Sequence, residues 1–479
     1  MANIIAEKLI SFKTLEQKIF QYVCMLAVEI TRILLEEYDK DLMKSRDKTR
    51  YKAKDSHKTT IKTVYGSVSY SRRYYEVLDK DGHREGYKSL LDDAMKMDKI
   101  GLMSSNLAEK IAMIVTESPY RVAAETINST CGQSISHGGV WHFIQKLGER
   151  ISKEEDAAVS RMDAEKTNGE EVVPVLFEEM DGVFLKMQEG HKKAPSKEMK
   201  VATTYEGWDE ELEKEKRSTL VNKKTIAGME NGKEFHRKRE AQIRDHYAAD
   251  EIKQRVVNGD GGSWISEPND PDAIVQLDRF HIYQAIRRYI SDGRAISEIE
   301  EKFRQEKYDE MFEFIRIYAD SVASNDPKDT KSKDAMKLYK YLFDNRDALK
   351  PYHSYKGRIP EPPKGVIYKD MGVQENQNCT LITMRMKHRR MRWSETGANN
   401  MAKVLYRKEN RELGETIDRY MDGLILLEHT PKVLDVLSCG RTPKRDGKGN
   451  PYIDVINRHM PIIDAMQTAS RRAFRRAFG

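Results

Sequence analysis

The spacing of apolar residues predicts a helix at the start of the chain and a β-hairpin after it. Over residues 1–47 the apolar positions recur with helical periodicity, which predicts an N-terminal helical region, 1–50. The basic region that follows, 51–92, carries aromatic and β-branched residues with Gly66 and an Asp81–Gly82 turn, and this is typical of a β-hairpin. The apolar positions of the helix are Phe20, Val23, Cys24, Ala27, Ile30, Ile33 and Leu34.

Residues 93–152 have the pattern of short helices separated by a turn. Ser118–Pro119 is a helix start, with serine as the N-cap and proline at the first helical position. This helix ends at Gly132, and Ser134 or Ser136 caps the next one. The arrangement matches a helix-turn-helix, which places its second helix in the DNA major groove. Many helical pairs that bind nothing share it, so this segment alone leaves DNA contact open.

Beyond residue 171 the pattern changes from helices to alternating strands and helices. The polar segment 153–171 is predicted to be a linker. The segment after it has an α/β order, in which two strands join at Asp181–Gly182. The predicted strands are 172–180, 182–188, 199–205, one that ends at Asp260 and one that ends at Asp278, and the predicted helix covers 233–247.

The remainder of the chain is predicted to be mostly helical. Charged sequence with helical periodicity fills 284–365, which we predict to be an all-α insertion. A further helix is predicted over 375–415. The basic tail, 426–479, ends in RRAFRRAFG, which either contacts a phosphate backbone or is a solvated chain end.

Composition narrows the class of protein. The 479 residues contain 83 Lys and Arg against 77 Asp and Glu, a net charge of +6, which excludes a wholly basic, histone-like binder but not a nucleic-acid partner. The four cysteines are far apart and support neither a disulfide framework nor a cysteine zinc site. No apolar run reaches about 18 residues, so we expect no membrane span and an intracellular protein.

Three acids are distinguished by their positions. Asp181 and Asp260 each end a predicted strand before glycine, and Glu375 follows Gly372 and opens a helix. Carboxylates at one edge of a sheet are good ligands for hard cations, although each acid read alone is more often a turn residue. Asp278 and His281 form a DxxH pair, which are neighbours at i, i+3 on a helix.

The order of four motifs resembles a known family. These motifs are MDG, GDGGSWI, LDRFH and GVQENQNCTLITMRMKHRRMRWSETGANNMAKVL. Together they resemble bacterial DDE transposases with an RNase H-like core, above all the insertion-sequence family ISLre-two, long filed as an uncharacterised protein family. They are also similar to the Mutator-like branch, in which an all-helical insertion precedes the catalytic Glu. The resemblance covers most of the chain.

The resemblance implies a site and a reaction. Asp181, Asp260 and Glu375 match the three catalytic acids, which would hold two Mg²⁺ (or Mn²⁺) ions, and Glu395 is the rival for the third acid. The auxiliary pair Asp278 and His281 matches the family's DxxH and supports the active site or DNA handling. Water would first cut the DNA at an element end, and the 3′-hydroxyl released would then attack target DNA.

The resemblance also implies a mixed fold. A mainly α N-terminal region with a β-hairpin and a helix-turn-helix would precede an α/β RNase H-like catalytic domain, 170–283 and 366–425, interrupted by the all-α insertion. Related sequences carry a glycine where this chain reads His388–Arg390. The basic residues expected at DNA, for which a solvated face is the other reading, are Arg385, Lys387, Arg389, Arg390, Arg392, Arg72 and Arg73.

The expected partners are DNA and a second copy of the chain. The DNA would be the terminal inverted repeats of the element and the target, and bringing two ends together calls for a homo-oligomer. The expected location is the bacterial cytoplasm, at the nucleoid, with no membrane contact. Two alternatives stay open, a catalytically silent DNA-binding regulator derived from a transposase and an RNase H-type nuclease that acts on RNA–DNA hybrids.

Overall fold

A computed structural model describes residues 11–96, 102–190, 192–262, 264–265, 270–325, 330–421 and 423. The basic tail predicted over 426–479 lies outside this part of the chain. The described residues fall into two compact units. Unit 1 is drawn from Met1–Val115, Pro119–Phe143 and Glu415–Gly479, and unit 2 from Thr116–Ser118 and Ile144–Gly414.

Unit 1 begins with a long helix and a three-stranded antiparallel sheet of order β1-β2-β3. Its small core contains Leu35 and Tyr38 of the first helix with Val68 and Tyr70 of the second strand. Ser11 caps the first helix by accepting a hydrogen bond from the backbone N–H of Thr14. The first elements of the chain are α1 (Phe12–Ser45), β1 (Tyr51–Thr63), β2 (Gly66–Leu78), β3 (Arg84–Lys88), α2 (Leu90–Met95), α3 (Ser105–Glu117), α4 (Tyr120–Thr130) and α5 (His137–Asp163), and α5 belongs to unit 2 from Ile144 onward.

The helices α4 and α5 follow one another across a short turn, as the sequence predicts. The prediction places Pro119 inside α4, whereas in the structure it is the N-cap and Tyr120 is the first helical residue. Of the two serines proposed as the next cap, Ser136 has this role, since its hydroxyl accepts from the N–H of Gly139 at 3.1 Å. The assignment of this pair as a helix-turn-helix stays a prediction.

The linker predicted over 153–171 is wrong for most of its length, because α5 continues to Asp163. Its polar sequence is helical because one face is buried: Glu155 is only 7% exposed and pairs with Lys238 at 3.1 Å and with Lys403 at 2.9 Å. These partners lie far along the chain, so the local composition does not reveal them.

Unit 2 is built on a mixed five-stranded sheet of order β7-β5-β4-β8-β9. Strands β4, β5 and β7 are antiparallel neighbours, and β8 and β9 run parallel to β4. The strands are β4 (Val175–Glu189), β5 (Lys192–Tyr205), β7 (Lys224–Gly228), β8 (Gln254–Gly259) and β9 (Ile274–Leu277), and β6 (Trp208–Asp209) pairs separately with β10 (Val366–Ile367).

One difference from the predicted strands concerns the first acid. The sequence predicts two strands that join at Asp181–Gly182, but β4 runs unbroken through both residues. The reason is that β5 is longer than predicted and pairs with β4 from Phe177 to Glu189, with Asp181 opposite Val201. Asp181 instead marks the point where the parallel pairing between β4 and β8 ends.

Helices cover the sheet and occupy most of the segment between β9 and β10. On one face, α7 packs with Ile243 and Tyr247 against Leu176 of β4. Helices α8 to α11 share a separate apolar core around Ile299, Ile315 and Leu338. The helices of unit 2 and its neighbours are α6 (Glu210–Lys214), α7 (Gly232–His246), α8 (Arg279–Tyr289), α9 (Gly293–Arg304), α10 (Tyr308–Asn325), α11 (Lys331–Asp344), α12 (Gln374–Gln377), α13 (Glu395–Glu409) and α14 (Leu413–Met421).

The single helix predicted over 375–415 is divided. After α12 the chain continues as a wide π-helix, Asn378–Lys387, and then a short 3₁₀ turn, His388–Arg390. A new helix, α13, begins at Glu395, with the hydroxyl of Ser394 accepting from the N–H of Gly397 at 3.2 Å. Local π-helical geometry is rare and is often found at functional sites.

The outer edge of β7 is covered by side chains of α13 and the residue that follows it. Asn410 accepts from the N–H of Thr225 at 2.8 Å and donates to its carbonyl at 2.9 Å. Lys403 donates to the carbonyl of Ala227 at 3.1 Å, and the side chain of Asn399 accepts from the N–H of Met229 at 3.0 Å. These bonds satisfy backbone groups that an edge strand otherwise leaves unpaired.

No helix in the described ranges combines the length and the apolar character needed to cross a bilayer.

Candidate functional site

Strand register brings three aspartates side by side. The pairing of β4 with β8 ends at Met180 and Gly259, and the pairing of β8 with β9 ends at Gly259 and Leu277. The next residue of each strand is an aspartate: Asp181, Asp260 and Asp278. Neighbouring strands lie about 4.8 Å apart, so the three residues occupy consecutive positions along one edge of the sheet. Two of the predicted catalytic acids and one auxiliary acid are therefore neighbours.

Asp181 is held from two sides and is only 7% exposed. Its Oδ2 accepts from the side-chain amide of Asn378 at 2.6 Å, and its Oδ1 accepts from the N–H of Gly182 at 2.7 Å. Nε2 of His281 lies 3.7 Å from the same Oδ2. The motif that supplies His281 and the segment that supplies Glu375 thus both reach this carboxylate.

The environment of His281 shows that this edge favours positive charge. Contact with the Asp181 carboxylate raises the pKa of His281 above its usual 6.5, burial opposes the rise, and the charges of Asp181, Asp278 and Asp260 add to it. Closely spaced carboxylates with one histidine form an oxygen-rich, negative donor set. Mg²⁺ and Mn²⁺ prefer such ligands, so the donor chemistry fits a divalent cation.

Asp260 sits in a tight loop directly after β8. Its Oδ1 accepts from the N–H of Gly262 at 2.8 Å, and its carbonyl accepts from the hydroxyl of Tyr341 at 3.0 Å. Gly261 has φ of +81°, and a Cβ there would lie 2.8 Å from Asn345. The loop therefore needs glycine at this position, and α11 fixes the backbone that carries Asp260.

Asp278 has a positioning role in addition to its charge. It is the N-cap of α8, where its Oδ1 accepts from the N–H of Phe280 at 2.7 Å. Its Oδ2 accepts from the side-chain amide of Asn258 at 2.8 Å. With both oxygens engaged, Asp278 fixes the start of the helix that presents His281 three residues later.

Glu375 lies in the first turn of α12 and is exposed. Asn378, three residues on, contacts Asp181, and side chains at i and i+3 project from one side of a helix. Glu395, the rival third acid, is also exposed, but it opens α13 and pairs with Lys197 at 2.5 Å. The choice between the two stays a prediction.

The carboxylate oxygens of Asp181, Asp260 and Glu375 do not all lie within 4.8 Å of one another in the described structure. Within the described residues, three candidate ligand atoms lie within 4.8 Å of one another only at Asp79, Asp81 and His83. That group is an exposed turn between β2 and β3, in which Asp79 accepts from the N–H groups of Asp81 and His83. Those contacts explain it as a turn.

The sequence reasoning missed Glu179, two residues before Asp181. Its carboxylate is fully buried and accepts from the N–H groups of Gly372, Val373 and Gln374 at 3.1–3.3 Å. It therefore anchors the start of the helix that carries Glu375. A signal was present, because two adjacent acids, Glu178–Glu179, occur in the predicted strand 172–180, which is otherwise apolar.

The predicted DNA-contact residues separate into two groups. Lys387, Arg390 and Arg392 are exposed, whereas Arg385 is 4% exposed and lies 5.5 Å from the ring centre of Trp393. In this structure the Arg385 guanidinium is buried against the indole, and its contact with DNA stays a prediction. The side chain of Arg389 lies outside the described residues.

The two arginines of the hairpin are also used internally. Arg72 lies 2.8 Å from Asp92 of α2, and Arg73 lies 2.5 Å from Asp39 of α1. Both aspartates are buried. These pairs join the helices of unit 1 to its sheet and give both arginines a packing role, and the predicted phosphate contact stays a prediction.

The turn His388–Arg390 has an unusual backbone conformation. Arg390 has φ of +54°, the left-handed region that favours glycine, and its side chain is exposed.

Comparison with known proteins gives a family match. The model of the "Uncharacterised protein family (UPF0236)" matches residues 5–416. A UPF0236 protein of Caldanaerobacter subterraneus subsp. tengcongensis is 24% identical over 396 residues, covering 80% of this chain and 74% of the relative. The "UPF0236 protein in vanSb 3′region" of Streptococcus gallolyticus is 21% identical over 393 residues, covering 78% of each chain.

One solved structure shows a distant likeness. The "Drosophila P element transposase strand transfer complex" is 12% identical, with 70% of this chain and 87% of that chain covered and a TM-score of 0.22. A score of this size does not establish a shared fold.

Proposed function

Because this chain belongs to the uncharacterised protein family UPF0236, whose name assigns no activity, we propose its function from the site: it is a DNA transposase of the DDE type. In this proposal it binds the ends of an insertion sequence and catalyses metal-dependent cleavage and strand transfer. The catalytic acids are Asp181, Asp260 and Glu375.

The observation that carries the proposal is the meeting of distant segments at one sheet edge. Strand register makes Asp181 and Asp260 neighbours, and Asn378 ties the segment of Glu375 to Asp181 at 2.6 Å. A fold that needed these acids only as turn residues has no reason to place them together, since like charges repel. The mixed sheet and the helical segment between β9 and β10 support an RNase H-like core with an insertion.

The residues of the site have separable tasks. Divalent cations held by Asp181, Asp260 and Glu375 would activate the attacking oxygen and neutralise charge on the leaving oxygen. Asn378 orients the Asp181 carboxylate. His281 lies 3.7 Å from the same carboxylate, which raises its pKa above the ordinary value, and its positive charge would balance part of the negative charge of the acids.

The basic residues that remain exposed suit the DNA backbone. Lys387, Arg390 and Arg392 follow Glu375 on the same segment, and phosphate contacts from such residues position DNA without reading its sequence. The α4–α5 pair of unit 1 is the proposed reader of the element ends. Exposed at the start of α5 are His137, Trp141 and His142.

A catalytically silent DNA-binding regulator is the second candidate. It is favoured by one observation, that the ligand atoms of the three acids are not within 4.8 Å of one another in the described structure. An RNase H-type nuclease would use the same acids but would have no need of the α4–α5 pair.

Strand joining with element-end DNA tests the proposal and separates these candidates. The DNA flanking the coding region supplies the substrate, assayed with and without Mg²⁺. We expect Asp181→Ala and Asp260→Ala to abolish cleavage and retain end binding. Asp292→Ala, which removes only the N-cap of α9, is the matched control and should keep cleavage. Cleavage that survives either site change would show the metal assignment to be wrong.

The same assay decides the third acid. Glu375→Ala is expected to abolish cleavage. Glu395→Ala should leave most of it, because Glu395 lies on a separate helix, α13, and is paired with Lys197. The reverse result would assign the third position to Glu395. Cutting of an RNA–DNA hybrid with no joining of element ends would favour the nuclease.

A further inference from the structure

The buried carboxylate of Glu179 contacts β5, β8 and the start of α12, and it reaches Asp278 through Asn258. Besides the three backbone N–H groups at the start of α12, it accepts from the hydroxyl of Tyr205 at 2.6 Å and from the side-chain amide of Asn258 at 3.1 Å. Asn258 precedes Asp260 by two residues on β8 and also donates to Asp278. One side chain thus connects the strands of Asp181, Asp260 and Asp278 with the helix of Glu375.

The position of Glu179 in its strand explains this reach. Side chains alternate between the faces of a strand, so Glu179 and Asp181 share one face of β4 and Glu178 lies on the other. Glu178 is just as buried, but its partners are arginines, Arg255 at 2.6 Å and Arg239 at 3.4 Å. Burial raises the pKa of Glu179, and the hydrogen bonds from Tyr205, Gly372 and Val373 oppose that rise.

Ordinary packing does not account for an acid at this position. Burying a carboxylate without a cationic partner is costly, and a strand interior is normally apolar. The carboxylate stabilises the helix start in one orientation, because the N–H groups there point at a single acceptor and negative charge at that position is favourable. Glu179 therefore fixes both the place and the direction of the helix on which Glu375 stands.

We propose that Glu179 is a positioning residue that holds Glu375 in register with Asp181 and thereby sets the affinity of this edge for divalent cations. The inference rests on the proposed function, since it takes Asp181, Asp260 and Glu375 to be the ligands. Glu179 itself does not contact the cation. Its effect passes through the backbone of Gly372, Val373 and Gln374.

Cation binding by the full-length protein without DNA tests this role. Mn²⁺ is titrated by calorimetry and by the paramagnetic signal of the free ion, for the unchanged chain, Glu179→Gln and Glu178→Gln. We expect Glu179→Gln to weaken Mn²⁺ binding by about 10–100-fold, the usual cost of losing a group that orients a ligand. The amide keeps the shape of the side chain but turns an N–H group toward the N–H groups of the helix.

Glu178→Gln is the matched control, because it makes the same change at an equally buried neighbour on the opposite face. It should lower the stability of the fold and leave Mn²⁺ affinity within about twofold, well below the 10–100-fold cost of losing an orienting group. Glu179→Asp retains the charge and should bind Mn²⁺ more tightly than Glu179→Gln. Equal losses in Glu178→Gln and Glu179→Gln would show a general effect of stability and overturn the positioning role.

A second variant covers the case in which Glu179→Gln does not fold. Tyr205→Phe removes one donor to Glu179 and keeps the aromatic packing of Tyr205 on Phe177. It should weaken Mn²⁺ binding in the same direction by a smaller factor. Unchanged Mn²⁺ affinity in a folded Tyr205→Phe contradicts the inference.

The failures of the two proposals are distinguishable. If the unchanged chain binds no Mn²⁺, or binds it equally well after Asp181→Asn, the proposed function fails at its ligands. If binding depends on Asp181 but not on Glu179, the proposed function stands and the positioning role is wrong.

Discussion

Two groups of carboxylates in unit 2 differ in how their charge is balanced. Glu155 and Glu230 are buried and alternate with two lysines, Lys238 and Lys403, at 2.8–3.1 Å. At the sheet edge, Asp181, Asp260 and Asp278 have one histidine among them and otherwise accept from uncharged N–H groups. Lys238 also pairs with the exposed Asp156 at 3.1 Å, so every carboxylate of the first group faces a lysine. The second has more negative than positive charge, and that surplus distinguishes a candidate cation site from a structural ion-pair network.

The largest expected effect is the response of the two groups to the loss of one carboxylate. Asp181→Asn should reduce strand cleavage below detection and leave stability unchanged or slightly raised, because it relieves repulsion. Glu230→Gln should do the opposite, lowering stability with little direct effect on the chemistry. Urea unfolding beside the cleavage assay measures both. A strong loss of stability in Asp181→Asn would remove the distinction between the groups.

Removing one lysine should destabilise the group of carboxylates that contains Glu155 and Glu230. Lys403 is fully buried, so Lys403→Met leaves two glutamates with one lysine. We expect a loss of about 3–5 kcal/mol in the free energy of unfolding, the usual cost of breaking a buried pair from one side. Lys408→Met, on the exposed side of α13, is the control and should cost about 0–1 kcal/mol.

Lowering the pH should next reveal the stability that the lysine-paired Glu230 contributes. Burial acts to raise the pKa of Glu230, but the charges of Lys403 and Lys238 outweigh it and lower that pKa to about 2. Because the folded-state pKa lies below the ordinary 4.5, its stabilisation is present above pH 4.5 and is lost as pH falls toward 2. This amounts to about 3 kcal/mol. Unfolding of the unchanged chain and of Glu230→Gln should therefore converge across that window; a constant gap would contradict the assignment.

The smallest expected effects concern DNA affinity. Lys387→Ala and Arg392→Ala should each weaken binding modestly and reduce the slope of log affinity against log salt by about one. Arg72→Gln should leave that slope unchanged and destabilise unit 1, because its guanidinium pairs with Asp92. A reduced slope in Arg72→Gln would restore the hairpin arginines as phosphate contacts.

Local signals predicted much of this architecture. The strands before Asp260 and Asp278 end where predicted, because the turn chemistry that stops them lies within a few residues. The hairpin and the α4–α5 turn were found for the same reason. The all-helical pattern after α8 also persists in the structure, since helical periodicity is a property of a short window.

Long-range contacts account for what the sequence did not reveal. Asp181 lies inside a strand because β5 is longer than predicted and pairs with β4 from Phe177 to Glu189, and α5 runs past its expected end because Glu155 pairs with lysines far along the chain. Glu179 meets amides 193–195 residues away. Neither spacing nor composition carries such information. Because these contacts leave no local pattern, the sequence predicted Glu375 as a catalytic acid but did not reveal that Glu179 positions it.

The side chains of α13 along β7 have a consequence for assembly. A strand whose outward N–H and C=O groups are already occupied cannot recruit a strand from another molecule, so this end of the sheet is closed to fibril-like growth. A contact between copies of the chain at this edge would therefore be made by side chains. Substitutions could change such a contact without altering the backbone hydrogen bonds of the sheet.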